Sequence, residues 1–519
     1  MIFSSSSAAV FLGAIVFCVF LYNNLIRPLF LTPLSRIPSA HPLAHITGLW
    51  ILWIRFRSQE NRTIDSAHKA FGPVIKLSPN EISINCVNGG IKTVYAGGFE
   101  KHEWYPNLFY NFGQPNMFSM AGTKQHSARK RMIMAIYSKS SISTSPAMRS
   151  MSVALIYQRF LPLLRHHAES GKYINIYAAF SAITMDFVTG YLFGLDSSSN
   201  LTQNMKKRDH FLDLYHSRRS YNYWPQELPG LTEFFKSLGI RLVPKWVDAA
   251  NAEIEAWTLE MCDQAARHSH SDDKDPGSSP VVYSQLSATK HANPLSRLEI
   301  ASELLDHLAA GFDTSGITLT YAVHQLSQHP RWQNALRAEL RTLDTPVSIR
   351  SHPYEASLPS SKALDTLPTL QAILQETLRL HAAIPGPQPR ITPPGGCRIG
   401  TDECHYQVPG GVRISAQAYS LHRNAAVFEE PETWRPERWL EASPEKLREM
   451  MRWYWPFSSG GRMCIGSHLA MYQMQNILAA VYTDFMTEIV DDADIEQLDI
   501  YTAPPKSDKL IMKLAFADT

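Results

Sequence analysis

Residues 456–466 read PFSSGGRMCIG and place a single cysteine, Cys464, two positions after Arg462 and two before Gly466, just ahead of an apolar, helix-like run. A cysteine immediately before a helix N-terminus has its thiolate stabilised by free backbone N–H groups and by the helix dipole, so this position predicts a depressed thiol pKa. Gly460 and Gly466 let the backbone turn sharply and approach a flat partner. Phe457 is placed to shield the sulfur from water, and Arg462 adds a cation. A cysteine taken alone is more often an inert core residue. The complete spacing F-x-x-G-x-R-x-C-x-G is far more restrictive, because it constrains five positions within ten.

The composition narrows the function classes. The chain has 519 residues, 45% of them apolar, enough to bury a large core. Its net charge of +2 and charged fraction of 18% give no broad cationic field, which argues against nucleic acid as a partner. The six cysteines are scattered rather than dense, as in a reduced, cytosol-facing protein. Cys397, Cys404 and His405 lack CxxC spacing and a fourth ligand, so they read as a strand and turn rather than a zinc site.

The first segment, AAVFLGAIVFCVFLY at 8–22, is uncharged and extends to Arg27, long enough to cross a bilayer with modest tilt. No Lys or Arg precedes it and no small-x-small site follows it, so a transmembrane anchor is expected over a cleaved signal peptide. Arg27 and Arg36 follow the segment and put the bulk of the chain on the cytosolic side. The sequence thus divides into an anchor at 1–27, a neck at 28–45 carrying Pro28, Pro33, Pro38 and Pro42, and a single domain at 46–519.

Within that domain, 71–85 reads as a hairpin and 124–262 as mostly helical, with amphipathic runs such as 177–194. A mobile loop is expected at 268–294, long helices at 295–328 and 363–381, short strands near 397–419, and a last helix at 465–485. The segment 308–322, LAAGFDTSGITLTYA, carries Ala310, Gly311, Asp313, Thr314 and Ser315 in the pattern [AG]-G-x-[DE]-T-[ST]. Its glycines and hydroxyl residues predict a locally distorted helix. Glu376 and Arg379 are three apart in LQETLRLH, and Arg438 lies in WRPERW.

These four elements, in this order, resemble the cytochrome P-450 family, and the phrasing FSSGGRMCIG and PERW resembles its membrane-bound members of filamentous fungi. The resemblance implies a mainly α-helical fold with small β-sheets, preceded by an N-terminal transmembrane helix. It implies haem b with Cys464 as the axial iron ligand. The Phe457 to Gly466 loop would hold the haem against Ala310 and Gly311. Thr314 would hydrogen-bond the oxygen being activated while Asp313 relays protons, and Glu376, Arg379 and Arg438 would brace the cysteine loop. The haem propionates would meet Arg390, Arg462 and the helix near 126, where this chain offers His126-x-x-x-Lys130 in place of the common W-x-x-x-R. Lys lacks the planar fork of Arg.

The implied reaction is monooxygenation of a small lipophilic substrate with dioxygen, using NADPH electrons from cytochrome P-450 reductase, with cytochrome b5 as a second donor. The implied location is the endoplasmic reticulum membrane, single-pass, with the domain in the cytosol. Arg129, Arg131, Arg448 and Arg452 offer a reductase landing surface or merely a solvated face. The expected lining is 104–118, 304–310 and 382–384, and a fungal polyketide, terpenoid or polyketide-peptide hybrid is the favoured substrate over a fatty acid, sterol or xenobiotic. The rival classes are a dioxygen-independent haem-thiolate isomerase or dehydratase, against which Asp313 and Thr314 argue, and a noncatalytic membrane haem protein or interaction module, against which the intact ligand, proton-relay and reductase-facing features argue. Deleting residues 1–30 should move the protein from the membrane pellet to the supernatant; tight sedimentation of the truncated chain would show that another anchor holds it.

Overall fold

All 18 residues of the helix Ile176–Phe193 are buried. That helix is apolar all round rather than amphipathic, as expected for one enclosed by neighbours on all sides. Its central partner is the helix Arg297–Gln328, opened by a capping box in which Ser296 and Glu299 exchange hydrogen bonds and closed at His329-Pro330. Phe180, Ile183 and Phe187 of the first pack in one large cluster with Leu304, Leu308, Phe312 and Leu319 of the second. At the crossing, a β-carbon on Gly311 would come within 2.5 Å of Val188 Cγ2, so glycine sets how closely these helices approach.

The computed structural model describes residues 5–268, 275–288 and 294–517. The chain is mainly helical with small sheets. The hairpin is β1 (Val74–Ser78) and β2 (Glu81–Ile84), paired antiparallel with Val74 opposite Ile84. β3 (Ile174–Asn175) lies in a second sheet. β4 (Arg390–Ile391) follows, and β5 (Cys397–Gly400) and β6 (His405–Val408) form a separate hairpin. β7 (Arg413–Ser415) inserts between β2, in parallel, and β4, antiparallel, giving the order β1-β2-β7-β4. The second sheet runs β3-β9-β8, with β8 (Phe485–Asp491) and β9 (Ile511–Phe516) at the C-terminus. The first sheet has its own core, in which Val74, Ile82 and Ile414 meet Tyr95 and Trp455.

Several expectations need correction. The helix expected at 363–381 is two, Ser361–Asp365 and Pro368–Leu380, because Pro368 starts the second rather than continuing the first. The last helix is Ser467–Tyr482, and the β8–β9 pair beyond it carried no clear turn signal. The loop expected at 268–294 lies partly outside the described residues. Between its two undescribed stretches a short helix, Val281–Ser287, buries Val282 and Leu286. The N-terminal helix Ser5–Leu21 passes into a wider π-type winding, Tyr22–Leu31, so helical backbone runs past position 28, where a neck was expected to begin. Cys397 and Cys404 sit on or beside the β5–β6 hairpin, and no metal-holding cluster occurs among the described residues.

Candidate active site

The loop before the last helix presents the sulfur. Gly460 has φ +72°, and a β-carbon there would collide with the carbonyl oxygen of Tyr95, so only glycine permits the turn. The Cys464 amide donates to Phe457 O at 3.0 Å, closing the loop on itself. The sulfur accepts from the N–H groups of Gly466 and Ser467, at the start of Ser467–Tyr482. Cys464 is exposed, yet enough protein surrounds it that burial pushes its thiol above the ordinary value. Both hold when Sγ opens onto a void inside the protein. This corrects the expectation of a depressed pKa: burial outweighs the two N–H donors and nearby Lys130, and a bound metal would be needed to displace the proton.

The other wall of the void can be traced on the helix Arg297–Gln328. From Ala301 to Leu326, only Asp306, Ala309, Ala310, Gly311 and Thr314 escape full burial, and Ala310 alone is exposed. Asp306, Ala310 and Thr314 recur every four residues and so share a face. The expected distortion does not break this helix. Instead, three successive carbonyls take additional donors: Ala310 O from Thr314 Oγ1 at 2.8 Å, Gly311 O from Gln473 Nε2 at 3.4 Å, and Phe312 O from Thr184 Oγ1 at 2.9 Å.

Beside the sulfur is a group of cations. Arg462, Lys101, Lys130 and Arg390 all lie close enough to His126 to press its pKa down to about 3, behind the larger effect of burial. Among the described residues none of the five pairs with a carboxylate; their partners are neutral oxygens. Arg462 donates to Met120 O (2.7 Å) and Ala121 O (2.8 Å), Lys130 to Gly461 O (2.9 Å), and Arg390 to Tyr105 OH (3.0 Å). Arg390 Nε is buried without a partner, and Lys101 is pushed well below the usual lysine range by burial and by Arg390 and Arg462. Such a cluster is stable only opposite a multiply charged anion. A flat dianionic group ligated through sulfur suits the open Cys464, the exposed Ala310 and these cations together, so the residues present fit haem.

Glu376 holds the loop from behind. Its fully buried carboxylate accepts five donors at 2.8 to 3.0 Å: two from Arg379, and one each from Arg438 Nε, Trp439 Nε1 and the Arg435 amide. Arg379 continues to the carbonyls of His422, Pro431 and Thr433. His422 completes the relay, with Nδ1 donating to Arg379 O (2.8 Å) and Nε2 accepting from the Trp455 amide (2.7 Å). Trp455 leads into the cysteine loop. Burial lowers His422 to about 3, which keeps it neutral, as both bonds require.

The helix Arg297–Gln328 also borders a cavity of about 660 Å³, lined by Trp104, Phe109, Tyr501, Leu305, Ala309 and Asp313 among others. The segments 104–111 and 305–309 belong to it as expected. Ala382 and Ala383 do not; they are buried in other clusters, and 498–502 and 215–227 take their place. A groove of about 830 Å³ on the outer side of Met205–Ser217 touches none of the site residues. Burial pushes Asp313 up to about 6, against the pull of Arg219 and Arg218, and its Oδ1 has no partner.

Sequence reading missed Lys101, His422 and Trp439. Lys101 is one of many lysines in the chain, whereas Trp439 directly follows the motif arginine and His422 had no local signal. Arg129 is also reassigned. It is buried and pairs with Glu303 at 2.8 Å, so it offers no landing surface, while Arg448 and Arg452 are each engaged by a glutamate three positions earlier.

A cysteine loop, a helix opened at one alanine and an anion-seeking cationic wall define a haem-thiolate protein. Residues 40–512 match the cytochrome P-450 family profile, and the chain belongs to that family. It is similar to the cytochrome P-450 monooxygenase avaI of Aspergillus versicolor, 28% identical over 79% of this chain and 95% of that one. It is also similar to the monooxygenases hkm5 of Aspergillus hancockii (27%, covering 94% and 92%) and FGM1 of Gibberella zeae (24%, covering 89% of each). The enzyme is a haem-thiolate monooxygenase, of a family that uses haem, dioxygen and electrons from a redox partner.

Removing the Glu376 carboxylate strands two buried guanidinium groups, which should cost about 3–5 kcal/mol. Glu376→Ala should therefore accumulate as haem-free or aggregated protein, and normal haem content after purification would show that the network does not hold the loop. For His422, the folded pKa lies below the unfolded one, so its stability contribution is complete above about pH 6.5 and is lost as pH falls towards 3. Over that window it supplies a slope of about 1.4 kcal/mol per pH unit, and His422→Gln should flatten the pH dependence of urea unfolding by that amount. Equal slopes would mean that His422 already titrates normally in the folded state.

Proposed function

We propose that this monooxygenase inserts oxygen into a lipophilic secondary metabolite of polyketide, terpenoid or polyketide-peptide type, drawn from the endoplasmic reticulum membrane. The observation that carries the reading is the sulfur of Cys464, open to an interior void whose opposite wall bares Ala310. Haem b held there by Cys464, with its propionates on Lys101, His126, Lys130, Arg390 and Arg462, would supply the thiolate-ligated iron that activates dioxygen. Phe457 and Gly466 then serve the sulfur side, and Gly311 serves helix approach more than cofactor contact.

The chain's own residues provide the protons. Thr314 keeps its hydroxyl tethered to Ala310 O on the open face, leaving lone pairs free towards the void. Asp313, with a pKa of about 6, is populated in both protonation states near neutral pH, as a proton carrier requires. Arg219 faces Asp313 and pairs with half-buried Asp508 at 3.3 Å, which supports a route outward. A haem-thiolate isomerase would have no use for this pair.

Membrane supply is supported by exposed apolar side chains near the cavity mouth. Leu49, Trp53 and Phe56 of the helix Leu49–Phe56 are exposed, as are Leu231, Phe234, Leu238 and Ile240 of and beyond Pro229–Ser237. Phe56 lines the cavity and touches the rings of Tyr223 and Trp224. Together with Ser5–Leu21 as a single transmembrane anchor, a neck that begins beyond Leu31 and a cytosolic domain at 46–519, this surface would sit against lipid. Electrons from NADPH would arrive through the membrane-bound reductase, or cytochrome b5, on the Cys464 side.

Cys464→Ala should lose the carbon monoxide difference band of reduced haem-thiolate and all turnover; normal turnover would reject the ligand assignment. Thr314→Ala should keep its haem but divert NADPH oxidation to hydrogen peroxide, with product formation falling by about a hundredfold, the low end of what a positioned proton donor contributes. Unchanged product per NADPH would remove Thr314 from proton delivery. Co-expression with a reductase and a panel of candidate metabolites, read by product mass, tests the substrate class.

A further inference from the structure

The cavity bordered by the helix Arg297–Gln328 is lined by six carboxylates, and five of them have partners. Glu227 accepts from Arg55, Arg413 and Trp104, and Glu60 from Arg55. Asp499 accepts from the amides of Asn61 and Arg62, Glu255 from that of Phe112, and Asp313 from Tyr215. Asp306 lines the same cavity and has neither a hydrogen bond nor an ion pair among the described residues. The charged groups around it are engaged elsewhere. Glu303 is held by Arg129 and the Met117 amide, His307 by Tyr137 OH and Glu303, and Lys101 by Phe118 O.

The cavity's cations are also spoken for. Arg219 pairs with Asp508, and Arg218 bonds Asn251 and lies over the Tyr215 ring. Among the charged groups of this lining, Asp306 is therefore the one with neither a hydrogen bond nor an ion pair among the described residues. Burial raises Asp306 to about 7, with His307 and Lys101 pulling against the rise and Glu303 adding to it, so a cation brought into direct contact would favour its ionised form.

We propose that Asp306 is a specificity-determining residue that seats a protonated amine of an otherwise lipophilic substrate. It stands one helical turn, about 6 Å along the axis, before Ala310, on the face that Ala310 and Thr314 share. A nitrogen fixed there holds the rest of the substrate along the open face and selects which carbon reaches the reacting centre. The inference rests on the monooxygenase reading of the same site and narrows its substrate to nitrogen-bearing compounds.

The test uses purified, haem-loaded enzyme and three matched probes: N,N-dimethyl-3-phenylpropylamine, its uncharged isostere 4-methylpentylbenzene, and 3-phenylpropan-1-ol. Binding is titrated through the Soret shift. The amine should bind about tenfold or more tighter than either neutral probe, a charge-assisted bond setting the scale. Asp306→Asn should remove that advantage while moving the isostere by less than about twofold, the carboxylate being absent from its contacts. Asp306→Leu, which needs no partner, should behave likewise.

Equal affinity for amine and isostere, an alcohol bound as tightly as the amine, or an amine advantage that survives in both variants would each overturn the proposal. A nitrogen seated directly on the metal would shift the Soret band to longer wavelength in wild type and Asp306→Asn alike, and would also overturn it. The carbon monoxide band of each preparation separates this outcome from failure of the haem assignment, since its loss would sink the underlying reading instead.

Discussion

One buried carboxylate ties the cysteine loop to the body of the fold. Glu376 takes five donors inside the protein, and a lone carboxylate could not stay charged there without them. The guanidinium of Arg379 passes the constraint to three backbone carbonyls, and neutral His422 passes it to Trp455, at the entry to the cysteine loop. The sulfur therefore sits on a turn whose rear is tied to a helix by charge-assisted bonds and whose front is open. A site that must hold a metal at one distance from a substrate needs that stiffness.

The same economy of pairing separates structural from functional charges. Across most of the molecule buried ions are matched, as in Arg55 with Glu60, Glu81 and Glu227. Two places near the site depart from this pattern. Lys101, Lys130, Arg390 and Arg462 gather around neutral His126 near Cys464 without an ion pair among the described residues, and Asp306 stands in the cavity with neither an ion pair nor a hydrogen bond among them. Unmatched charge in a low-dielectric setting is unfavourable, and the dianion proposed for the first place and the cation proposed for the second would each relieve it.

The void itself arises from packing. Gly311 lets two core helices close against each other, while the adjoining face of the helix Arg297–Gln328 carries partly covered Asp306 and Thr314 on either side of exposed Ala310. Three extra side-chain donors on the carbonyls of residues 310 to 312 satisfy the backbone without breaking the helix. Sequence alone suggested a kink because it shows the glycine and the hydroxyls but not Thr184 and Gln473, which arrive from other helices.

What the sequence determined was local. The cysteine loop depends on residues within ten positions, so Gly460, Cys464 and Gly466 were legible without knowing the fold. The capped long helix and the β1–β2 hairpin are equally short-range in cause. Tertiary structure decided what depends on neighbours far apart in the chain. It buried Arg129 against Glu303, 174 positions away, where a basic helix face had suggested a surface. It gathered Lys101 with Arg390 and Arg462, and left Asp306 without a partner by giving its neighbours others. Burial likewise reversed the expected direction of the Cys464 pKa, because desolvation sums over all surrounding atoms whereas helix-terminal N–H groups act only locally.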